Sequence, residues 1–262
     1  MLCCAHMDFE KITDNCYALF NGVNTTAFIL PSQVVMIDAG ARRPPIEMQA
    51  VRRQIESLAS QPVKTVILTH FHSDHTHSLP FYSDCTIIAS TRLAKHLHDA
   101  KRKTLPGFPV VAPTKLFEDS LELQEGTVRL VIRRTGGHTD DSSYIFCSKE
   151  RVLVAGDNLM PGYPWGGKGS SLHQWIRALQ EYLTLDLDTI IPGHGPLMTK
   201  TFVQDRLAFM LKVQATMQEC ISQGKSEKEV LAAADAISYQ KPLSPQAKPQ
   251  VLRRWYKNWE HQ

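Results

Sequence analysis

The chain has 262 residues, 43% of them hydrophobic and 21% charged, with a formal net charge of +3. This is the balance of a soluble globular protein with room for a large core, and so weak a charge gives no sign of a nucleic-acid track. Every apolar run is far short of a membrane span, and the start, Met1–Asp8, shows neither a basic region nor the sustained apolar stretch of a secretory leader. The six cysteines (Cys3, Cys4, Cys16, Cys85, Cys147 and Cys220) form no C-x-x-C pair, so neither a disulfide framework nor a thiolate zinc finger is indicated. Cys16, Cys85 and Cys147 lie in strand-like runs and read as small buried residues, which fits a reducing, cytoplasmic setting. The local clusters Lys101-Arg102-Lys103 and Arg133-Arg134 read as solvated faces.

Residues 16–20, 25–30 and 33–37 are short apolar segments separated by Asn21-Gly22 and Pro31-Ser32-Gln33, the pattern of an antiparallel meander. The last segment ends at Asp38-Ala39-Gly40. Asp38 is either a turn residue or a carboxylate that orients a metal-bound histidine from behind. Residues 46–60 carry a helical stripe of Ile46, Val51, Ile55 and Leu58. A β-branched run from Val63 then reaches Thr69-His70-Phe71-His72-Ser73-Asp74-His75. On an extended backbone His70 and His72 point to the same side and can share an ion. A turn after Ser73 brings Asp74 and His75 onto a second one. A buried cluster of this kind has no packing advantage, and imidazole with carboxylate suits zinc or a similar first-row metal.

Residues 85–89 read as a strand and Ser90 as the N-cap of a helix reaching about Lys103, with His96 and His98 taken as surface residues. From Leu116 to Phe146 the pattern is β, broken at Gly136-Gly137-His138-Thr139-Asp140-Asp141. The strands Val152–Ala155 and Thr189–Ile191 likewise run into Gly156-Asp157 and Gly193-His194-Gly195. Four times a strand enters a loop that presents His or Asp, and in open sheets working groups collect at strand ends. The glycine-rich stretch 161–169 reads as a pocket wall or a surface excursion; Tyr163 and Trp165 are candidate pocket residues, and Lys168 a candidate partner for an anionic group. A helix over Leu172–Leu183 follows. Beyond His194 the chain turns helical: 201–223 with Gly224 as its stop, a capping box at Ser226–Glu229, a proline-bearing linker over 237–248 and a last helix over 249–260.

The ordered set His70-x-His72-x-Asp74-His75, Gly-Gly-His138-Thr, Gly156-Asp157 and Gly193-His194-Gly195 resembles the metallo-β-lactamase-fold hydrolases over roughly residues 15–200. The resemblance implies an α/β (α+β) fold, a four-layer αββα sandwich of two mixed β-sheets, in a single domain with 201–262 as a helical extension. It also implies two Zn2+ per chain, with Fe2+ or Mn2+ as alternatives. His70, His72 and His138 would hold the first ion and Asp74, His75 and His194 the second, with Asp157 bridging and Asp74 catalytic. A hydroxide shared by the ions would attack a small ester, thioester or lactone. Asp157 stands where the true zinc β-lactamases place Cys or Ser, which counts against a primary β-lactamase activity. The alternatives are a mononuclear iron persulfide dioxygenase using His70, His138 and Asp157, a phosphodiesterase or nuclease, and a non-catalytic binding protein. The expected partner is a small-molecule substrate, with neither nucleic acid nor membrane.

Overall fold

The computed structural model describes residues 8–40, 45–99, 111–240 and 247–259. Its first sheet holds seven strands in sequential order: β1 (Glu10–Lys11), β2 (Cys16–Asn21), β3 (Val23–Ile29), β4 (Val34–Ile37), β5 (Val63–Ile67), β6 (Thr86–Ser90) and β7 (Lys115–Phe117). The pairings β1–β4 are antiparallel, as the meander reading expects. Those from β4 to β7 are parallel. The second sheet holds β8 (Ser120–Glu125), β9 (Val128–Arg134), β10 (Ser143–Cys147), β11 (Val152–Gly156) and β12 (Thr189–Pro192), antiparallel except for the β11–β12 pair.

Side-chain alternation along the strands divides the core into layers. Val35 and Ile37 of β4, with Phe28, Ile67 and Ile88, face Leu130, Ile132, Ile145, Val154 and Ile191 of the other sheet. Their neighbours Val34 and Met36 point outward, to Val51 and Ile55 of α1 (Pro45–Ala59) and Leu93 of α3 (Thr91–Asp99). The outer face of the second sheet, with Phe146, Leu153 and Ala155, meets Trp175 and Leu179 of α4 (Leu172–Thr184). The result is the expected four-layer αββα sandwich. Strands β4 and β11 are buried on both faces, which is why they read as unbroken apolar runs.

Local chemistry sets the element ends. The Leu93 N–H donates to Ser90 Oγ at 3.2 Å, the expected N-cap of α3. The chain turns after His72 into the single-turn helix α2 (Ser73–Thr76), followed by a 3-10 turn at Leu79–Tyr82. Past β12 come α5 (Lys200–Ser222), α6 (Glu227–Asp235) and α7 (Ala247–Lys257). Gly224 has φ of 68° at the end of α5, and the Ser226 N–H donates to the Glu229 carboxylate at 2.9 Å to open α6. Met210, Val213, Val230 and Trp255 of these helices share one core with α4. The last helix begins at Ala247 rather than 249; residues 241–246 of the expected linker, and 100–110 with Lys101-Arg102-Lys103, lie outside the described residues. No helix among the described residues is long and apolar enough to cross a membrane.

One sequence expectation is corrected. His96 is not a surface residue: it is 9% exposed, its Nε2 stands 2.7 Å from Asp140 Oδ1 and its ring lies 4.6 Å from that of Phe71. A contact 44 positions away in sequence turned this face of α3 inward, and helical periodicity carries no record of it.

Candidate metal centre

The register places the loops. Ile37 pairs with Ile67, and Ile67 with Ile88, so Asp38 and the 69–75 stretch leave the first sheet at one edge. In the second sheet Gly156 pairs with Pro192, which sets Asp157 beside the Gly193-His194 loop, while the 135–142 loop joins β9 to β10 at the same end. Two backbone bonds stitch the sheets together at this edge: Ser143 N–H to Thr69 O and Asn24 N–H to Gly193 O, both 2.8 Å.

The expected ligand residues come together in two groups. His70 Nε2 and His138 Nε2 stand 3.0 and 2.9 Å from His72 Nδ1, and 3.6 and 3.5 Å from Asp157 Oδ2. The other oxygen, Asp157 Oδ1, lies 3.2 Å from His75 Nε2 and 3.4 Å from His194 Nε2. Asp74 Oδ2 completes this second group, 3.5 Å from His194 Nε2. Nitrogen ligands about 2.1 Å from a tetrahedral ion stand roughly 3.4 Å apart, so these groups are close enough for each to hold an ion.

The outward nitrogens settle which atoms carry protons. The Thr69 hydroxyl gives its hydrogen to Asp38 Oδ2 at 2.8 Å and so accepts from His70 Nδ1 at 3.0 Å. His75 Nδ1 donates to Asp38 Oδ2 at 2.7 Å, His138 Nδ1 to the Trp165 carbonyl at 2.5 Å, and His194 Nδ1 to the Gly22 carbonyl. In each neutral ring Nε2 is therefore a bare lone pair aimed inward. Four such nitrogens facing two carboxylates call for positive charge, which the metal-free chain draws as protons toward His75 and His194. Burial, with His75 alongside, pushes His70 well below its usual range, and burial also lowers His138. Against burial, Asp157 and Asp38 lift His75 well above its range, and Asp157 lifts His194. Burial alone would raise Asp157, but His75 and His70 hold it well below the carboxylate range. The pocket thus favours an ionised Asp157 and suits a cation. The donor set suits a divalent metal.

Asp38 is a turn residue and more. At φ of 62° it occupies the left-handed region that Asp tolerates, and its Oδ1 accepts the Thr69 N–H at 2.8 Å. Gly40 lets this turn touch the next one, because a Cβ there would stand 1.8 Å from the Asp74 carbonyl oxygen. Trp165 stands beside the first group, its ring 5.3 Å from His72 and 5.4 Å from His138. Tyr163 faces away, buried against Phe209 at 5.3 Å in the helical core, and Lys168 is exposed. Sequence reasoning missed Asn24, whose Nδ2 donates to the carbonyls of Pro192 and Gly195, both at 2.8 Å, and so holds the His194 loop. It also missed Asn158, whose Oδ1 accepts the His138 N–H at 2.9 Å. A polar Asn at the threshold of the 25–30 segment was the available signal for the first; the second stood next to Asp157 in a loop already singled out.

A further set of ligand-type residues, His96, Asp140 and Asp141, lies nearby. Asp140 is already paired, with His96 and with Arg92 at 3.3 Å. Asp141 is fully buried and its carboxyl is pushed up to about 6 by that burial.

An αββα sandwich with a His/Asp centre at the loop edge of its two sheets defines the class. The chain belongs to the metallo-beta-lactamase superfamily, whose family model matches residues 19–194. Among curated proteins it is similar to the Beta-lactamase-like protein 2 homolog of Caenorhabditis elegans, at 25% identity over 68% of this chain and 58% of that one. An atrochrysone carboxyl ACP thioesterase of Aspergillus fumigatus is 26% identical over 84% of this chain and 62% of its own length. The chain thus spans about three fifths of these relatives. Among solved structures the secondary alkylsulfatase Pisa1 from Pseudomonas sp. matches with a TM-score of 0.76 at 15% identity, over 97% of this chain and 50% of that one. A metallo-beta-lactamase from Pontibacter korlensis gives 0.66 at 19% identity, over 79% and 99%. At such identities these two likenesses establish the fold.

Proposed function

We propose that the protein is a dinuclear, zinc-dependent hydrolase of small carbonyl substrates, with acyl thioesters and related esters as the favoured class. The observation that carries this reading is Asp157, whose two oxygens each face a separate group of ligand atoms. His70, His72 and His138 would hold one ion, Asp74, His75 and His194 the other, and Asp157 would join them. Two such ions, when bound, supply Lewis acidity and lower the pKa of a shared water.

The protein's own groups do the rest. Asp74 is the most open of the ligand carboxylates, at 30% side-chain exposure against 5% for Asp157, so it is the one able to meet both water and substrate. It orients the attacking water, takes up its proton and returns that proton to the leaving alkoxide or thiolate. Trp165 walls the first group and limits solvent there. The buried carboxylate Asp38 keeps the His75 lone pair inward throughout. The thioester preference draws on the named thioesterase relative.

Hydrolysis of a panel of acyl thioesters, esters, lactones, β-lactams and phosphodiesters tests the reading. Thioester or ester turnover that disappears on chelation and returns with Zn2+ supports it. Full activity after exhaustive chelation, or turnover confined to phosphodiesters, overturns it.

A further inference from the structure

The family match ends at residue 194, yet the wall of the centre is held by residues beyond it. The loop over 160–170 lies between the ligand histidines and the C-terminal helices. On its inner side the Trp165 carbonyl accepts from His138 Nδ1 at 2.5 Å and the Gly167 N–H donates to the His138 carbonyl at 2.7 Å. A Cβ on Gly167 would stand 2.5 Å from His72 Nε2, so the backbone itself is pressed onto that ring.

On its outer side the same loop is gripped at both ends. Arg254 Nη1 donates to the Gly166 carbonyl at 2.5 Å, Asn258 Nδ2 to the Ser170 carbonyl at 2.6 Å and Trp255 Nε1 to Ser170 Oγ at 3.1 Å, all from α7 and its final turn. Arg206 of α5, fully buried, donates through Nη2 to the carbonyls of Met160 and Gly162, both at 2.8 Å. No carboxylate among the described residues forms an ion pair with Arg206. Its ordered acceptors are loop carbonyls and the Tyr239 hydroxyl at 3.2 Å. A Cβ on Gly166 would meet the Val251 side chain of α7 at 3.0 Å, so the loop backbone lies against that side chain.

We propose that the C-terminal helices complete the active site. Arg254, Asn258 and Arg206 are positioning residues that act through the 160–170 loop. They keep the Trp165 carbonyl on His138 Nδ1, which fixes the His138 tautomer with its Nε2 lone pair facing the first ligand group. The inference rests on the metal reading above for its consequence, but the tautomer itself is a property of the metal-free chain.

Two readouts on Arg254→Ala and the Arg254→Ala/Asn258→Ala pair test it, with Arg254→Lys as rescue and Arg253→Ala on the exposed side of α7 as control. Long-range proton–nitrogen correlation of the histidine rings in metal-free protein is expected to show His138 protonated at Nδ1 in the wild type and Arg254→Lys. Mixed tautomers are expected in the alanine variants. In metal titrations binding at the His70, His72 and His138 group is expected to weaken on the order of 10- to 100-fold in the alanine variants while binding at the Asp74, His75 and His194 group holds, with Arg253→Ala unchanged. A His138 that keeps its Nδ1 proton in the double variant overturns the proposal. So does a parallel loss of both equivalents and of the unfolding midpoint that lysine does not restore. A wild-type chain that binds no metal refutes the function proposed above, and the ring spectra then decide this inference alone.

Discussion

Replacing Asp38 by Asn separates the charge of this carboxylate from its shape. Asn accepts the left-handed backbone at this position as readily as Asp, so the turn itself is not strained. One side-chain oxygen still receives the Thr69 N–H, but an amide NH2 now occupies the place of Oδ2. There it faces two donors, the Thr69 hydroxyl at 2.8 Å and His75 Nδ1 at 2.7 Å. Flipping the amide only moves the conflict to the Thr69 N–H. The least costly escape is for His75 to give up its Nδ1 proton and keep the one on Nε2, which points at Asp157 Oδ1, 3.2 Å away. Two hydrogen bonds to an ionised group, each contributing about 1.5–3 kcal/mol, are lost and one neutral bond of about 1 kcal/mol is regained. The metal-free protein should lose about 2–5 kcal/mol in urea denaturation. Metal titration should show binding at the Asp74, His75 and His194 group weakened on the order of 10- to 100-fold, because neutral His75 now carries its proton on the ligand nitrogen, with binding at the His70, His72 and His138 group nearly unchanged. An Asp38→Asn protein that keeps the wild-type denaturation midpoint and both affinities would refute the reasoning.

Asp141 gives a pH signature. Its buried carboxyl is raised from 3.8 to about 6, so the native chain holds this proton more tightly than the unfolded one and stability falls as pH rises from 4 to 6. The penalty is absent below pH 4 and amounts to about 3 kcal/mol above pH 6. Denaturation of wild type and Asp141→Asn across pH 4–8 should show the gap between them moving by about that amount in the variant's favour; a gap independent of pH contradicts the assignment. Asn24→Ala strips the carbonyls of Pro192 and Gly195 of their donor, which should cost about 1–3 kcal/mol and weaken the second metal equivalent by loosening His194. Thermal unfolding and metal titration check it, and a stable variant with full affinity for both equivalents counts against the role of Asn24.

What the sequence revealed and what it hid follows from the range of each interaction. The strand–loop junctions at His70, His138, Asp157 and His194 could be read because each is local: an apolar, β-branched run ending at His or Asp, with glycine beside the last three. The caps at Ser90 and Ser226–Glu229 are local for the same reason. The orientation of Tyr163 was hidden because residues of α5 and the 237–240 segment, far along the chain, form its surroundings. The burial of His96 depends on Asp140, and the grip of Trp255 on Ser170 spans 85 positions. Neither leaves a periodic trace. Asn24 illustrates a middle case: its polarity inside β3 was visible, but its acceptors lie in a loop of the other sheet.

The central claim is that Asp157 stands between two ions. Anomalous diffraction at the zinc edge from crystals of the reconstituted protein tests it most directly. The account predicts two peaks, one enclosed by His70, His72 and His138 and one by Asp74, His75 and His194, with an Asp157 oxygen on each. A single peak, or none, after full reconstitution would contradict it.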